Sequence, residues 1–95
     1  MTEFLHTCYR IGDIDRSVSF YKALGLEERR RMDLPDGATN VFMGLPGDAD
    51  RLELTKNPGV DSYDLGNGYN HIALTAADLD ATLEGLAGQL SLIHI

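Results

Sequence analysis

The chain has 95 residues, a size that allows one domain with a small core. Its formal net charge of −7 argues against nucleic acid as a partner. No apolar run reaches the roughly 18 residues of a membrane-spanning helix, and no charged and apolar leader of the secretory type is found. A single cysteine, Cys8, excludes an internal disulfide, so we expect a cytoplasmic protein that binds neither membranes nor nucleic acid.

The first predicted element is a strand over residues 4–11, where polar and apolar residues alternate. Successive side chains of a strand point to opposite faces, so His6, Cys8 and Arg10 share one face. On that face Cys8 is expected to be a small buried residue.

A helix and three further strands are predicted to follow this strand. Asp13 is a suitable N-cap and Gly25 a suitable left-handed C-cap for a helix between them. The remaining elements are predicted, in chain order, as strands over 27–33, 39–45 and 50–56, a linker over 57–68, a strand over 69–75 and a helix over 78–88. This order predicts an α+β fold.

The second strand and helix pair repeats the first at a spacing of 65 residues. His71 stands where His6 does, and Asp78 stands where Asp13 does, so that each histidine precedes its helix cap by seven residues. Duplication explains this coincidence better than chance does. The predicted segments are therefore a first βαβββ module over 1–56, a linker over 57–68 and the start of a second module over 69–89.

The repeat places a counterpart of Glu53 near position 118, beyond the last residue of the chain, so we expect part of the second module to lie there. Residues 90–95 resemble the translation of a transposase adaptor that is used in preparing sequencing libraries. We interpret them as a non-native tail and exclude His94 from the candidate ligands. The alternative is that they begin a further strand.

Three residues with metal-ligating side chains, His6, Glu53 and His71, fall within predicted strands. On a cupped sheet their polar faces can meet, and imidazole nitrogen with carboxylate oxygen suits Zn, Ni, Co or Fe(II). Because no thiolate belongs to the set, an open site that acts as a Lewis acid is favoured over a closed structural zinc site. The alternative is that the histidines are ordinary hydrogen-bonded residues and Glu53 an exposed strand residue, and spacing alone does not decide.

Two further polar residues lie near these candidates. Arg10 shares a face with His6, where it either binds a substrate carboxylate or forms a surface ion pair. Asn57 follows the strand of Glu53 and is either a binding residue or an ordinary turn residue.

Several segments together resemble glyoxalase I (lactoylglutathione lyase), a family of the vicinal oxygen chelate superfamily. The two most specific are Glu53-Leu54-Thr55-Lys56-Asn57 and Tyr69-Asn70-His71-Ile72-Ala73. The supporting segments lie at residues 5–13, 17–26 and 59–66. The resemblance covers about residues 4–89 and implies a C-terminally truncated member of the family.

The resemblance implies a fold of paired βαβββ modules and isomerisation of the methylglyoxal–glutathione hemithioacetal to S-lactoylglutathione, which detoxifies methylglyoxal. It assigns His6, Glu53 and His71 as three of four metal ligands, and Arg10 and Asn57 as residues that contact glutathione. A carboxylate moves a proton between adjacent carbons. Glu53 is one catalytic carboxylate, and the principal base is a glutamate expected beyond the chain end, so that the fragment itself is expected to be inactive.

The resemblance also implies a homodimer, with each site drawing on both chains. A histidine as first ligand resembles the bacterial nickel-activated class, so Ni²⁺ is favoured, with Zn²⁺ and Co²⁺ as alternatives. Pro58 replaces a frequent tryptophan, and Asn70 replaces a frequent glycine. The alternative functions are another enzyme of the superfamily, an epimerase or dioxygenase, and a metal-free small-molecule binding or resistance protein.

Overall fold

The computed structural model describes residues 1–87, and the proposed tail over 90–95 lies outside them. Within these residues four strands and two helices are formed. They are β1 (Thr7–Ile11), α1 (Ile14–Ala23), β2 (Glu27–Asp33), β3 (Thr39–Gly44), β4 (Leu52–Lys56) and α2 (Leu79–Leu86).

The four strands form one mixed sheet in the order β1-β4-β3-β2. β1 runs parallel to β4, while β3 is antiparallel to both β4 and β2. The register sets Cys8 opposite Glu53, and Glu53 opposite Phe42. Side chains from three adjacent strands therefore meet on the same face around Glu53.

The other face of the sheet carries the hydrophobic core and packs against the helices. Val41, Met43 and Leu54 are fully buried there. α1 contributes Val18 and Tyr21 to the same cluster, and Leu86 of α2 joins it. Buried and polar residues alternate in β4 because one face of the sheet packs against α1 and α2 and the opposite face does not. We call that opposite face the open face; it carries Cys8, Glu53 and Phe42.

Both predicted helix starts are present with the same cap geometry. Asp13 accepts a hydrogen bond from the Arg16 backbone N–H at 3.0 Å, and Asp78 accepts one from Ala81 at 3.0 Å. Gly25 ends the first helix with a positive φ of 103°, as expected of a left-handed cap. Neither helix of the described part of the chain is long and apolar enough to cross a lipid bilayer.

The predicted strand over 69–75 is not formed. A strand exists only through hydrogen bonds to a neighbouring strand, and among residues 1–87 this segment pairs with none. Its apolar side chains stay partly in solvent: Ile72 and Leu74 are each 44% exposed. The period-two pattern identified a segment suited to a strand but could not supply its partner.

Candidate metal and substrate site

The candidate site begins with a pair of side chains on the open face. Glu53 lies within β4, and its carboxylate Oε1 is 3.2 Å from Nε2 of His6. The alternation predicted that His6 lies within a strand. This was wrong by one residue, since β1 begins at Thr7 and His6 directly precedes it. The Glu53 side chain is 14% exposed and that of His6 38% exposed, so the pair remains accessible from solvent.

Phe42 and Arg30 border this pair. The His6 ring meets the Phe42 ring edge to face, with centroids 5.6 Å apart and planes at 87°. The Arg30 guanidinium carbon lies 4.3 Å from the centroid of the same phenyl ring. Phe42 therefore provides an apolar wall for the histidine and is itself only 6% exposed. Residue spacing does not reveal this contact, since it depends on the register between β3 and β4.

Cys8 is exposed, and the expectation that it is buried was wrong. Its Sγ lies 3.3 Å from the Thr55 hydroxyl oxygen, which in turn donates to Asn40 Oδ1 at 2.7 Å. Partial burial raises the pKa of the Cys8 thiol, and the nearby Glu53 carboxylate adds to the effect.

His71 lies apart from the pair. Its segment runs on the helix side of the sheet, where the Tyr69 hydroxyl is 3.2 Å from that of Tyr9. Further along, Ile72 and Leu74 line a cavity against core residues. The His71 ring contacts the neighbouring Asn70 side chain. Within residues 1–87, no group of three or more His, Cys, Asp and Glu side chains is placed to hold one metal ion.

The structure thus brings two of the three predicted ligands together, on one face, and leaves the third on the other side of the sheet. The pair itself fits a metal ion. Two ligand atoms bound at about 2.0–2.2 Å are about 3–3.5 Å apart, depending on whether their angle is near 90° or tetrahedral, and this range includes the observed separation of 3.2 Å. Two donors of one chain would supply half of a four-ligand site.

A cavity of about 240 Å³ lies at the end of β1. Arg10 lines this cavity directly, while Asn57 Nδ2 donates a hydrogen bond at 3.1 Å to the hydroxyl of Tyr63, which also lines it. Lys56 Nζ donates to the carbonyl of Val60 at 2.6 Å and thereby fixes the intervening turn. The sequence did not identify Tyr63 as a site residue, because its hydrogen bond to Asn57 depends on the conformation of the linker.

Glycine at position 12 allows this arrangement. A Cβ at Gly12 would overlap the backbone carbonyl of Asp61, so the linker can lie against the end of β1 only if this residue has no side chain. The cavity is therefore walled on one side by β1 and α1 and on the other by residues 61–65.

Comparison with known proteins bears directly on this site. Residues 3–89 match the model of the Glyoxalase/Bleomycin resistance protein/Dioxygenase superfamily. The chain belongs to this superfamily. The predicted glyoxalase fold and the predicted superfamily are thereby confirmed.

Among similar members of the superfamily is a probable lactoylglutathione lyase of Synechocystis, 44% identical over 84 residues, which are 84% of this chain and 64% of that protein. A lactoylglutathione lyase of Haemophilus influenzae is 41% identical over 88 residues, 88% of this chain and 65% of that protein. A solved glyoxalase I of Leishmania major superposes with a TM-score of 0.84 at 38% identity, covering 93% of this chain and 66% of that one.

The chain is shorter than these relatives. It spans about two thirds of the bacterial proteins just described, and 31% of two plant relatives that are 38% identical to it. The likeness extends over almost the whole of the described structure, including both segments that carry His6 and Glu53.

Proposed function

We propose that this chain is part of a metal-dependent lactoylglutathione lyase, which isomerises the methylglyoxal–glutathione hemithioacetal to S-lactoylglutathione. The observation that carries the proposal is the His6–Glu53 pair, held 3.2 Å apart on the open face of a glyoxalase fold. Relatives named lactoylglutathione lyase, 41% and 44% identical, support the choice of reaction.

The proposed metal ligands are His6, Glu53 and His71, with a fourth, a glutamate, beyond residue 95. Because His71 of the same chain runs on the helix side of the sheet, we assign the His71 of each site to a second copy in a homodimer. When bound, the divalent ion would supply Lewis-acid stabilisation of negative charge on the substrate oxygens. Ni²⁺ is the favoured ion, with Zn²⁺ and Co²⁺ as alternatives.

The remaining chemistry belongs to side chains. Arg10 binds a glutathione carboxylate through a charge-assisted hydrogen bond, and Asn57 orients the same part of the substrate together with Tyr63. The proton moves between adjacent carbons through a carboxylate within hydrogen-bond reach. Glu53 is one such carboxylate, and the principal base is assigned to the glutamate beyond residue 95. Phe42 and its neighbours exclude water from one side of the reacting carbons.

The His6–Glu53 pair and turnover of the hemithioacetal together distinguish the alternatives. An epimerase or dioxygenase of the superfamily would share the pair but not turn over the hemithioacetal. A metal-free binding or resistance protein would have no use for a histidine and a carboxylate at metal-ligand separation. We place the lyase in the cytoplasm, where glutathione is held reduced.

The test uses what we call the completed protein: residues 1–89 joined to the continuation of their own reading frame. A strand glutamate about 115–122 residues from the start would supply the fourth ligand predicted from the repeat. We expect the completed protein, loaded with Ni²⁺ or Co²⁺, to form S-lactoylglutathione from methylglyoxal and glutathione. Metal binding without such turnover would point to another enzyme of the superfamily, and absence of metal binding would point to the resistance class.

Arg10→Ala is expected to lower kcat/KM of the completed protein by tens of fold, since a hydrogen bond to a charged group contributes about 1.5–3 kcal/mol. Bound metal should not change, because Arg10 is not a proposed ligand. The matched control is Arg31→Ala, which removes an exposed arginine that pairs only locally with Glu28. A loss of metal in Arg10→Ala, or kinetics equal to the control, would remove Arg10 from the substrate site.

A further inference from the structure

His6 has no place in the hydrogen-bond ladder of the sheet. The paired register of β1 starts at Thr7, opposite Leu52. The residues before His6 pack poorly, since Phe4 is 67% and Leu5 65% exposed. A terminal segment of this kind frays unless something ties it down. The position of His6 beside Glu53 therefore requires an anchor other than β1 and the core.

Arg51 supplies contacts on both sides of His6. Its backbone carbonyl accepts the Thr7 N–H at 2.9 Å, and its side-chain Nη1 donates to the Phe4 carbonyl at 2.5 Å. These two bonds hold the residues that flank Leu5 and His6. Arg51 also lies two positions before Glu53 in the chain, so one residue ties the proposed histidine ligand to the strand of the proposed glutamate ligand.

The Arg51 guanidinium is itself fixed from the other side. Its Nε and Nη2 donate to the two carboxylate oxygens of Asp48, each at 3.2 Å. Asp48 belongs to the turn between β3 and β4, where its own N–H donates to Leu45 at 3.0 Å and its carbonyl accepts from Arg29 at 3.1 Å. A forked pair of this geometry leaves the guanidinium little freedom to rotate and directs its Nη1 toward the Phe4 carbonyl.

We propose that Arg51 is a positioning residue that holds His6 in place beside Glu53. It touches neither substrate nor metal and acts through the Phe4 carbonyl. The consequence for metal binding rests on the proposed function. The effect of Arg51 on the position of His6 does not rest on the proposed function, because it is expected in the metal-free protein as well.

Three variants and one matched control separate positioning from charge and from folding. Arg51→Met approximately keeps the length of the side chain and removes its hydrogen-bond donors, while Arg51→Lys keeps one donor for the Phe4 carbonyl. Asp48→Asn weakens the forked pair between Asp48 and Arg51. The control is Arg31→Met, because Arg31 forms the same type of forked pair, with Glu28 three residues before it, at similar exposure (40% against 46%). Arg31 lies on β2, at the opposite edge of the sheet from β1.

The first measurement is made on the metal-free completed protein by NMR. Wild type should show contacts between the His6 and Phe42 ring protons, because the rings meet edge to face. We expect Arg51→Met to lose these contacts and to exchange the Thr7 amide hydrogen about tenfold faster, as local opening becomes easier. Arg51→Lys should recover most of both, Asp48→Asn should be intermediate, and Arg31→Met should match wild type.

The second measurement is Co²⁺ binding followed by its visible absorption. We expect Arg51→Met to weaken Co²⁺ binding about tenfold, a size typical of residues that orient metal ligands. If wild type and His6→Ala bind Co²⁺ equally, the proposed metal site fails while the NMR result still decides the position of His6. Persistent ring contacts in Arg51→Met, or equal losses in Arg31→Met, would overturn the role of Arg51.

Discussion

Replacing any one of His6, Glu53 and His71 in the completed protein is expected to remove most of the bound metal and to lower turnover by more than about 100-fold. Even residues that only orient metal ligands cost about 10–100-fold when changed, so the loss of a ligand should exceed that range. The variants are His6→Ala, Glu53→Gln and His71→Ala, with bound Ni²⁺ or Co²⁺ and hemithioacetal turnover measured on the same samples.

The matched control for these variants is Cys8→Ser. Cys8 is paired in register with Glu53 and is exposed on the open face, yet its thiol is not a proposed ligand. The control should keep metal and turnover near wild type, and all variants should retain the helical signal of the folded protein. A ligand variant that behaves like Cys8→Ser shows that its residue does not bind the metal.

The 95-residue chain alone is expected to have no measurable lyase turnover and to aggregate. It lacks the proposed fourth ligand and principal base, and a positioned base by itself contributes about 10²–10⁴ in rate. Its proposed second module also lacks packing partners among the described residues. Leu79 and Leu83 of α2 are 62% and 51% exposed, and the segment over 69–75 has no strand partner among the described residues. Exposed apolar surface next to unpaired backbone favours association between chains.

The experiment compares the 95-residue chain with a fusion of residues 1–89 to the part of the Haemophilus influenzae relative that this chain does not cover. The fusion should regain solubility, metal binding and turnover together, because one added segment completes both the sheet and the ligand set. Turnover by the 95-residue chain comparable to that of the fusion would show that the catalytic glutamate has been assigned to the wrong part of the protein.

Local patterns predicted most of the fold. Alternation in β4 and the caps at Asp13 and Asp78 correctly located elements, because a strand face and a helix start depend on neighbouring residues alone. The strand over 69–75 failed for the complementary reason. Its formation depends on a partner strand, and the pattern within a segment carries no information about whether that partner is present.

The candidate site was only partly predictable. His6 and Glu53 were identified by residue type and by resemblance, and the structure places them together. Phe42 was missed because its contact with His6 follows from the register of β3 against β4. Arg51 was missed because its side chain reaches across to a backbone carbonyl 47 positions earlier, which leaves no trace in local spacing.

The most direct measurement mixes two inactive variants of the completed protein, His6→Ala and His71→Ala, and assays the exchanged dimers. If each site takes His6 from one copy and His71 from the other, a mixed dimer contains one intact site and one doubly altered site. Mixing equal amounts should then restore about a quarter of wild-type turnover, since half of the dimers of a two-fold assembly are mixed. Recovery of that size is the predicted result. If exchange of subunits is demonstrated and no turnover returns, the two histidines belong to one chain or not to one site, and the shared metal site is contradicted.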